Sequence, residues 1–355
     1  MPATSIDTYL ACSIMIILVL SAMAGESKLI APYLNDLAHR NDTERFRQFA
    51  SYLLLSAGSP ADWGQIAGTA PNSLGLAKAD SSLPYELDID KITRLNSENI
   101  NSLTYAELWR KLGLQDVAFQ IEVNPLFELS IELILNSTQG SETRYQFEVT
   151  TEKSGMPIST DLSGYAFSEN YTGKVTSSTV SNGAGLIEVD IPNSVNGPAL
   201  MMVFAKAKAN PQMVSFNVYA FDLNSSTPMP NKTFTRLSPL NYVLNASLIS
   251  SSVQIRNAQI FTFNYNFSLV EKSEGTQTIE YYVPRLVDSS PMIMVLTGYN
   301  GSISFAEWVA YPQLPIQVGA NFTESIARSK IVSLSYIVTI NQALYEVVTK
   351  WGGTE

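Results

Sequence analysis

Two kinds of hydrophobic pattern divide the chain. No residue between Thr8 and Gly25 (TYLACSIMIILVLSAMAG) is charged, and Asp7 and Glu26 stand at the borders of this stretch. At about 1.5 Å per residue, a helix of that length crosses most of a bilayer's roughly 30 Å apolar core. Beyond it, Leu29, Ile30, Tyr33, Leu34 and Leu37 recur at three- and four-residue spacing, which makes one apolar stripe on a continuing helix. His39, Arg40, Asn41, Asp42 and Glu44 interrupt the stripe. Asn41 followed by Glu44 has the form of an N-cap with a carboxylate at the third position, so a second helix is expected over 42–55, with Phe46, Phe49, Ala50, Leu53 and Leu54 on one face. Gly58 and Pro60 end it.

After that the period changes from helical to two. Short elements are expected first: a turn at Asp62-Trp63-Gly64, a strand or turn and a helix within Leu83–Leu95, and a helix over Thr104–Leu112 stopped by Gly113. Phe119–Val123 alternates as a strand, and further strands follow at Phe127–Leu135, Arg144–Val149, Leu186–Ile191, Leu200–Ala205 and Val214–Phe221. The unbroken run Leu200–Phe204 suits a strand covered on both faces. Asn224–Pro230 (NSSTPMP) reads as a boundary. The same grammar then returns at Tyr242–Ile249, Ala258–Val270, Thr278–Val283, Met292–Thr297, Ile303–Ala310, Ile331–Ile340 and Ala343–Val348. The expected fold is α+β: a long N-terminal hydrophobic and amphipathic helix followed by mainly-β domains of antiparallel sandwich type. The domains run 1–58 (helix), 59–125 (small α/β connecting region), 126–222 (first sandwich) and 231–355 (second sandwich).

Three readings fit the apolar N-terminus. Ala22-Met23-Ala24 has the form of a signal cleavage site, although no Lys or Arg precedes the apolar run. A plain signal anchor is the second. The third is a helix that sits first in the membrane and then among identical helices in a filament core, and only this one has a use for the amphipathic continuation through Leu37. The layout of uncharged helix, Asp7 near its start, Pro32 within it, amphipathic extension and β-rich head resembles type IV pilins and related archaeal surface proteins. The stretch 57–123 is similar to one that recurs in archaeal pilin-like secreted proteins. It carries Gly58-Ser59-Pro60-Ala61-Asp62-Trp63-Gly64, Ser73-Leu74-Gly75-Leu76-Ala77, Tyr85-Glu86-Leu87-Asp88, Lys91, Arg94-Leu95-Asn96 and Leu112-Gly113-Leu114. This resemblance implies anchoring or assembly at the cell surface, with Asp7, Ile30, Leu34 and Leu37 on the assembly helix. The chain departs from the pattern in having Met1-Pro2-Ala3 where pilins carry a basic residue and glycine. Glu148–Pro157 followed by Gly183–Pro192 resembles the immunoglobulin-like modules of microbial surface proteins.

Composition sharpens this picture. The net charge is −10 with 22 Lys and Arg, and no basic cluster suits a nucleic-acid backbone. The one cysteine, Cys12, lies in the apolar stretch, so no intrachain disulfide forms, and Tyr9-Leu10-Ala11 before it fits a lipobox poorly. Asn-X-Ser/Thr sequons occur at Asn41, Asn136, Asn170, Asn224, Asn231, Asn245, Asn266, Asn300 and Asn321. A capping Asn41 conflicts with a glycan there, which leaves the other eight as acceptor candidates. A Ser/Thr/Asn-rich composition also generates sequons by chance.

Candidate chemistry is sparse. The one histidine, His39, lies in the helix break, where a solvated side chain is the ordinary reading. Asp88 and Asp90 lack the third carboxylate and glycine of a calcium loop, so capping of a helix at Lys91 is expected instead. Trp308 and Trp351 either close the ends of a β core or offer exposed rings to sugars or partners. No phosphate loop, zinc spacing or dinucleotide fingerprint is present, and no catalytic residue, metal or cofactor is expected. Any two of the 32 carboxylates could meet in a fold, but nothing marks a pair. The function expected is a cell-surface filament subunit with glycosylated β domains, its partners being further copies of itself. The alternative is a monomeric membrane-anchored adhesin or receptor ectodomain that binds a surface ligand or glycan.

Overall fold

The computed structural model describes residues 15–17, 42–114, 117–179, 182–223, 230–286, 291–322 and 331–353. The chain divides into two units, Met1–Ala50 and Ser51–Glu355. Residues 15–17 are helical, with the Met15, Ile16 and Ile17 side chains exposed. The rest of the uncharged stretch lies outside the described residues, as do the stripe over 29–37, Asp7, Cys12, Ile30, Leu34, Leu37, His39 and Asn41. Among the described residues no helix is long and apolar enough to cross a membrane. Helix α1 covers 42–55; Phe46, Ala50, Leu53 and Leu54 are buried and Phe49 is half-buried, the face that the periodicity specifies.

The second unit opens with a 3₁₀ turn at Trp63–Gln65, then β1 (Glu86–Leu87), α2 (Ile89–Thr93) and α3 (Tyr105–Lys111). Helix α3 starts at a capping box between Thr104 and Glu107 and stops before Gly113, whose φ of +71° suits a residue without a Cβ. Strands dominate from β2 (Val117–Pro125) onward: β3 (Glu128–Gln139), β4 (Glu142–Lys153), β5 (Met156–Pro157), β6 (Thr160–Ser168), β7 (Tyr171–Ser178), β8 (Ala184–Pro192), β9 (Gly197–Ala207) and β10 (Asn210–Leu223). The last third holds β11 (Thr235–Leu240), β12 (Val243–Leu248), β13 (Val253–Phe261), β14 (Asn266–Ser268), β15 (Val270–Glu274) and β16 (Thr278–Tyr282). It ends with β17 (Met292–Asn300), β18 (Ile303–Tyr311), β19 (Ile316–Gly319), β20 (Val332–Ile340) and β21 (Ala343–Gly353).

These strands stack in layers. One sheet has β3, β4 and β5 in order with β8 also on β4, and it packs face to face on β10-β9-β6-β7. Leu129, Phe147, Val149 and Ile187 from the first sheet meet Leu162, Met201, Val203 and Phe221 from the second. The opposite face of the second sheet presents Tyr165, Leu200, Met202 and Phe204 to Phe261, Ile293 and Val295 of a third sheet, β14-β13-β17-β18. Successive residues of β9 therefore point into two different cores, which is why Leu200–Phe204 has no polar position. A smaller core around Phe234, Val253 and Phe305 receives Leu248 from the fourth sheet, β11-β12-β16-β15. Most pairing is antiparallel, and the described residues are mainly β, as expected.

Two pairings reach across the whole unit. β21 is antiparallel to both β20 and β2, and β1 lies parallel to β20, so strands from 86–125 share a sheet with those from 332–353. This sheet joins the second layer where Met213 of β10 meets Leu344 of β21. Trp351 is fully buried there against Phe119, with ring centroids 5.8 Å apart. It closes a core and is not an exposed contact.

The β6–β7 hairpin lies in a segment, 160–178, without a legible hydrophobic period. Packing explains this: β6 is buried on both faces, with Leu162 and Ala166 in one core and Tyr165 and Phe167 in another, so no polar face marks a period. The single strand expected over Ala258–Val270 is in fact three. β13 ends at Phe261, a turn closes with the Thr262 amide donating to Tyr265 O at 2.8 Å, and β14 and β15 belong to different sheets.

Candidate functional site

The residues with the most specific sequence pattern, 57–101, come together as one polar knot. At the end of α1, the Leu76 amide donates to Leu53 O at 2.7 Å and the Ala77 amide to Ser56 O at 3.0 Å. Gly58 takes φ +74°, and a Cβ on Gly75 would lie 2.4 Å from Ser56 O, so the two segments touch backbone to backbone. Trp63 is buried beside them, and its Nε1 donates to Gly75 O at 2.9 Å.

Two cations stand against the Trp63 ring, Lys91 Nζ at 5.9 Å and Arg94 Cζ at 5.4 Å from its centroid. Carbonyl oxygens surround both cations. Lys91 Nζ donates to Ala57 O at 2.8 Å and Ala77 O at 2.7 Å. Arg94 donates to Trp63 O at 2.7 Å, Ile66 O at 3.0 Å, Thr69 O at 2.6 Å and Asn101 O at 2.8 Å. Burial pulls the pKa of each downward, and nearby carboxylates act against it, Asp88 and Asp62 for Lys91 and Glu107 and Asp90 for Arg94. Asp88 Oδ1 accepts the amides of Asp90 at 2.9 Å and Lys91 at 3.0 Å, so Asp88 is a helix cap, as its spacing suggests. Among the described residues no group of three metal-ligating side chains forms.

Asp90 has a separate task. Its Oδ1 accepts from Tyr311 Oη at 2.6 Å and from the Asn241 amide at 2.7 Å. Burial pushes its carboxyl up to about 6, against those hydrogen bonds and the field of Arg285, while the Asp88 charge adds to the rise. Tyr242 stands edge-on to Tyr311 at 5.7 Å and lies under the Arg285 guanidinium at 4.7 Å. Asn99 Nδ2 donates to Pro239 O at 3.0 Å and Gln313 Oε1 at 3.2 Å, and Arg236 donates to the carbonyls of Ser97, Glu98 and Asn99. The knot is thus bolted to β11 and to the end of β18. The sequence marks Asp88, Asp90, Lys91 and Arg94 but not Tyr311, Asn241 or Arg285, which lie more than a hundred positions away.

A second buried carboxylate, Glu307, accepts from the amides of Phe234 at 2.6 Å and Thr235 at 2.8 Å and from the Thr235 hydroxyl. Burial raises its pKa too. Two open clefts are lined by mixed polar and apolar groups. One includes Leu55, Ser81, Leu83 and Tyr85, and the other Glu128, Glu152, Lys153, Asn217 and Glu346.

The sequons are distributed unevenly. Asn136 on β3, Asn170 between β6 and β7, Asn266 on β14 and Asn321 are exposed. Asn245 on β12 is half-buried and accepts from Ser247 Oγ at 2.9 Å, and Asn300 accepts from Ser252 Oγ at 2.6 Å. Asn231 is held at both ends of its amide: Nδ2 donates to Trp308 O at 3.0 Å and Oδ1 accepts the Trp308 amide at 2.8 Å. Asn224 lies outside the described residues.

No protein family and no curated protein matches the chain. Among solved structures, HBP35 of Porphyromonas gingivalis aligns at 9% identity over 52% of this chain and 64% of its own, with a TM-score of 0.19. Human GIVD cytosolic phospholipase A2, solved with methyl gamma-linolenyl fluorophosphonate and terbium chloride, aligns at 10% identity over 67% of this chain and 33% of its own, with a TM-score of 0.15. The chain therefore spans less than two thirds of either structure, and neither likeness bears on the fold or the function.

Proposed function

We propose that this chain is a structural protein of the cell surface, a subunit of a type IV pilin-like filament of archaeal type. Its N-terminal helix lies in the membrane before assembly and in the filament core afterwards, and its immunoglobulin-like, glycosylated β domains face outward. The observation that carries the reading is the apolar stripe Leu29, Ile30, Tyr33, Leu34, Leu37, which extends an uncharged stretch by further helical turns. A signal peptide has no use for such a stripe, whereas a helix packed among copies of itself needs one.

The partners are further copies of the chain and the lipid bilayer, with no nucleic acid, cofactor or catalytic role. The test is Leu34→Asp, which places a charge on the packing stripe. Sheared cell-surface material should lose filaments in negative-stain images while the β domains stay folded by circular dichroism, and unchanged filaments overturn the reading. A second reading, a monomeric anchored adhesin, draws on one observation. Tyr265 and Phe267 are exposed and stacked with centroids 6.0 Å apart, a surface on which a sugar ring can lie. Monomers released only by detergent, with no filaments in wild-type material, favour that alternative.

A further inference from the structure

The open edges of the sheets differ in how they are protected. An edge strand offers unpaired N–H and C=O groups to any other strand, and proteins block this with charge, bulges or cover. β15, the outer strand of the fourth sheet, carries Glu271, Lys272 and Glu274 and has a bulge between Glu271 and Ser273. β18, the outer strand of the third sheet, is covered: Asn231 bonds both the N–H and the C=O of Trp308. Among the described residues, two further outer strands have a stretch with neither charge nor cover. Among the described residues β3 pairs only with β4; it carries Glu128 and Glu132 before its bulge at Leu133/Leu135, but Ile134-Leu135-Asn136-Ser137-Thr138-Gln139 has no charge. Ile134 and Leu135 are 49% and 46% exposed. Among the described residues β14 pairs only with β13; it is flanked by Tyr265 at 52% exposure, with Phe267 inside it at 44%.

Each unprotected edge carries a sequon at its apolar exposed residues, Asn136-Ser137-Thr138 in one and Asn266-Phe267-Ser268 in the other. The charged edge β15 carries none. We propose that N-linked glycans on Asn136 and Asn266 are the guards of these two edges, and that Asn231 stays unmodified because its amide closes a third edge directly. The inference rests on the reading of the chain as an exported glycoprotein. In the covalent step, Asn Nδ2 bonds to the anomeric carbon of an oligosaccharide carried on a lipid phosphate. The C–O bond to phosphate breaks, the lipid phosphate leaves with the electron pair, and one amide proton is released. A bulky hydrated sugar on Asn136 then prevents a second strand from approaching Ile134 and Leu135.

The test uses the full chain purified in detergent from its native membranes. Peptide mass mapping should find Asn136 and Asn266 occupied and Asn231 bare. In Asn136→Gln, hydrogen exchange over 134–139 should slow by about tenfold or more as protein concentration rises. Adding Ile134→Lys should restore fast exchange. Association through the N-terminal helix leaves exchange at β3 unchanged and so does not imitate this result. If other sequons are occupied while Asn136 and Asn266 are bare, or if Asn231 is occupied, the inference falls and the glycoprotein reading stands. If no sequon is occupied, both fall. If Asn136→Gln exchanges like the parent at every concentration, the guarding role is overturned.

Discussion

Replacing Arg94 by methionine tests whether the Trp63 knot holds the second unit together. The substitution keeps the length and apolar stem of the side chain but removes the donors that reach Trp63 O, Ile66 O, Thr69 O and Asn101 O. The Trp63 carbonyl bond is buried, whereas the other three are partly buried and their oxygens can regain some water. With about 2 kcal/mol for the buried acceptor and about 1 kcal/mol for each of the others, less the relief from desolvating a guanidinium, the expected loss is about 4 kcal/mol. Against a total stability of about 5–15 kcal/mol for a folded domain, such a loss leaves little in reserve. Guanidinium unfolding followed by tryptophan fluorescence is a direct assay, because Trp63 is itself a reporter at the altered site. Arg94→Lys keeps the charge but replaces the planar fork by a point donor, so it should fall between parent and Arg94→Met, with a loss of about 2 kcal/mol. A stability for Arg94→Met within about 1 kcal/mol of the parent would refute the view that these carbonyls depend on the guanidinium.

Three further expectations follow from the same region. The Asp90 carboxyl rises from 3.8 to about 6 in the folded state, so the fold binds its proton more tightly than the unfolded chain does, and stability present below pH 3.8 is lost as pH rises through 6. Relative to Asp90→Asn, the parent should lose about 3 kcal/mol between pH 4 and pH 7 in urea titrations, and parallel profiles for the two would contradict this. Gly75→Ala sets a Cβ 2.4 Å from Ser56 O and 2.6 Å from Gly58 N, both backbone atoms. It should cost about 3 kcal/mol and lower the melting temperature, whereas Gly68→Ala, with open space around it, should show only the smaller strain of a positive φ. Glu107→Ala removes half of the capping box on α3 and should cost about 1 kcal/mol, seen as faster hydrogen exchange over 105–111 with little change elsewhere.

Much of this fold is legible in local pattern. The buried face of α1, the cap at Asp88, the stop at Gly113 and most of the strands follow from spacing alone, because each depends on neighbours within a few residues. β4 shows the rule at its cleanest, with Tyr145, Phe147 and Val149 inward and Glu148 outward. The pattern fails where a distant residue sets the demand. β6 reads as no strand because its two faces enter two different cores, so no alternation of polar and apolar residues marks it. Ala258–Val270 reads as one strand because nothing local says that its second half serves two sheets.

For the candidate sites the division is similar. The sequence by itself determined that a short helix lies within Leu83–Leu95, that Asp88 caps it, and that sequons follow Gly58 in number. Only the tertiary structure decided that Lys91 and Arg94 are held by carbonyls, that Asp90 meets Tyr311 from across the unit, and that β2 closes on β21. It likewise decided that Asn231 is tied to Trp308 while Asn136 and Asn266 stand on open edges. The physical reason is that caps and periods are satisfied within one turn or one strand, whereas burial of a charge and the pairing of an edge depend on which segments chain folding brings into contact.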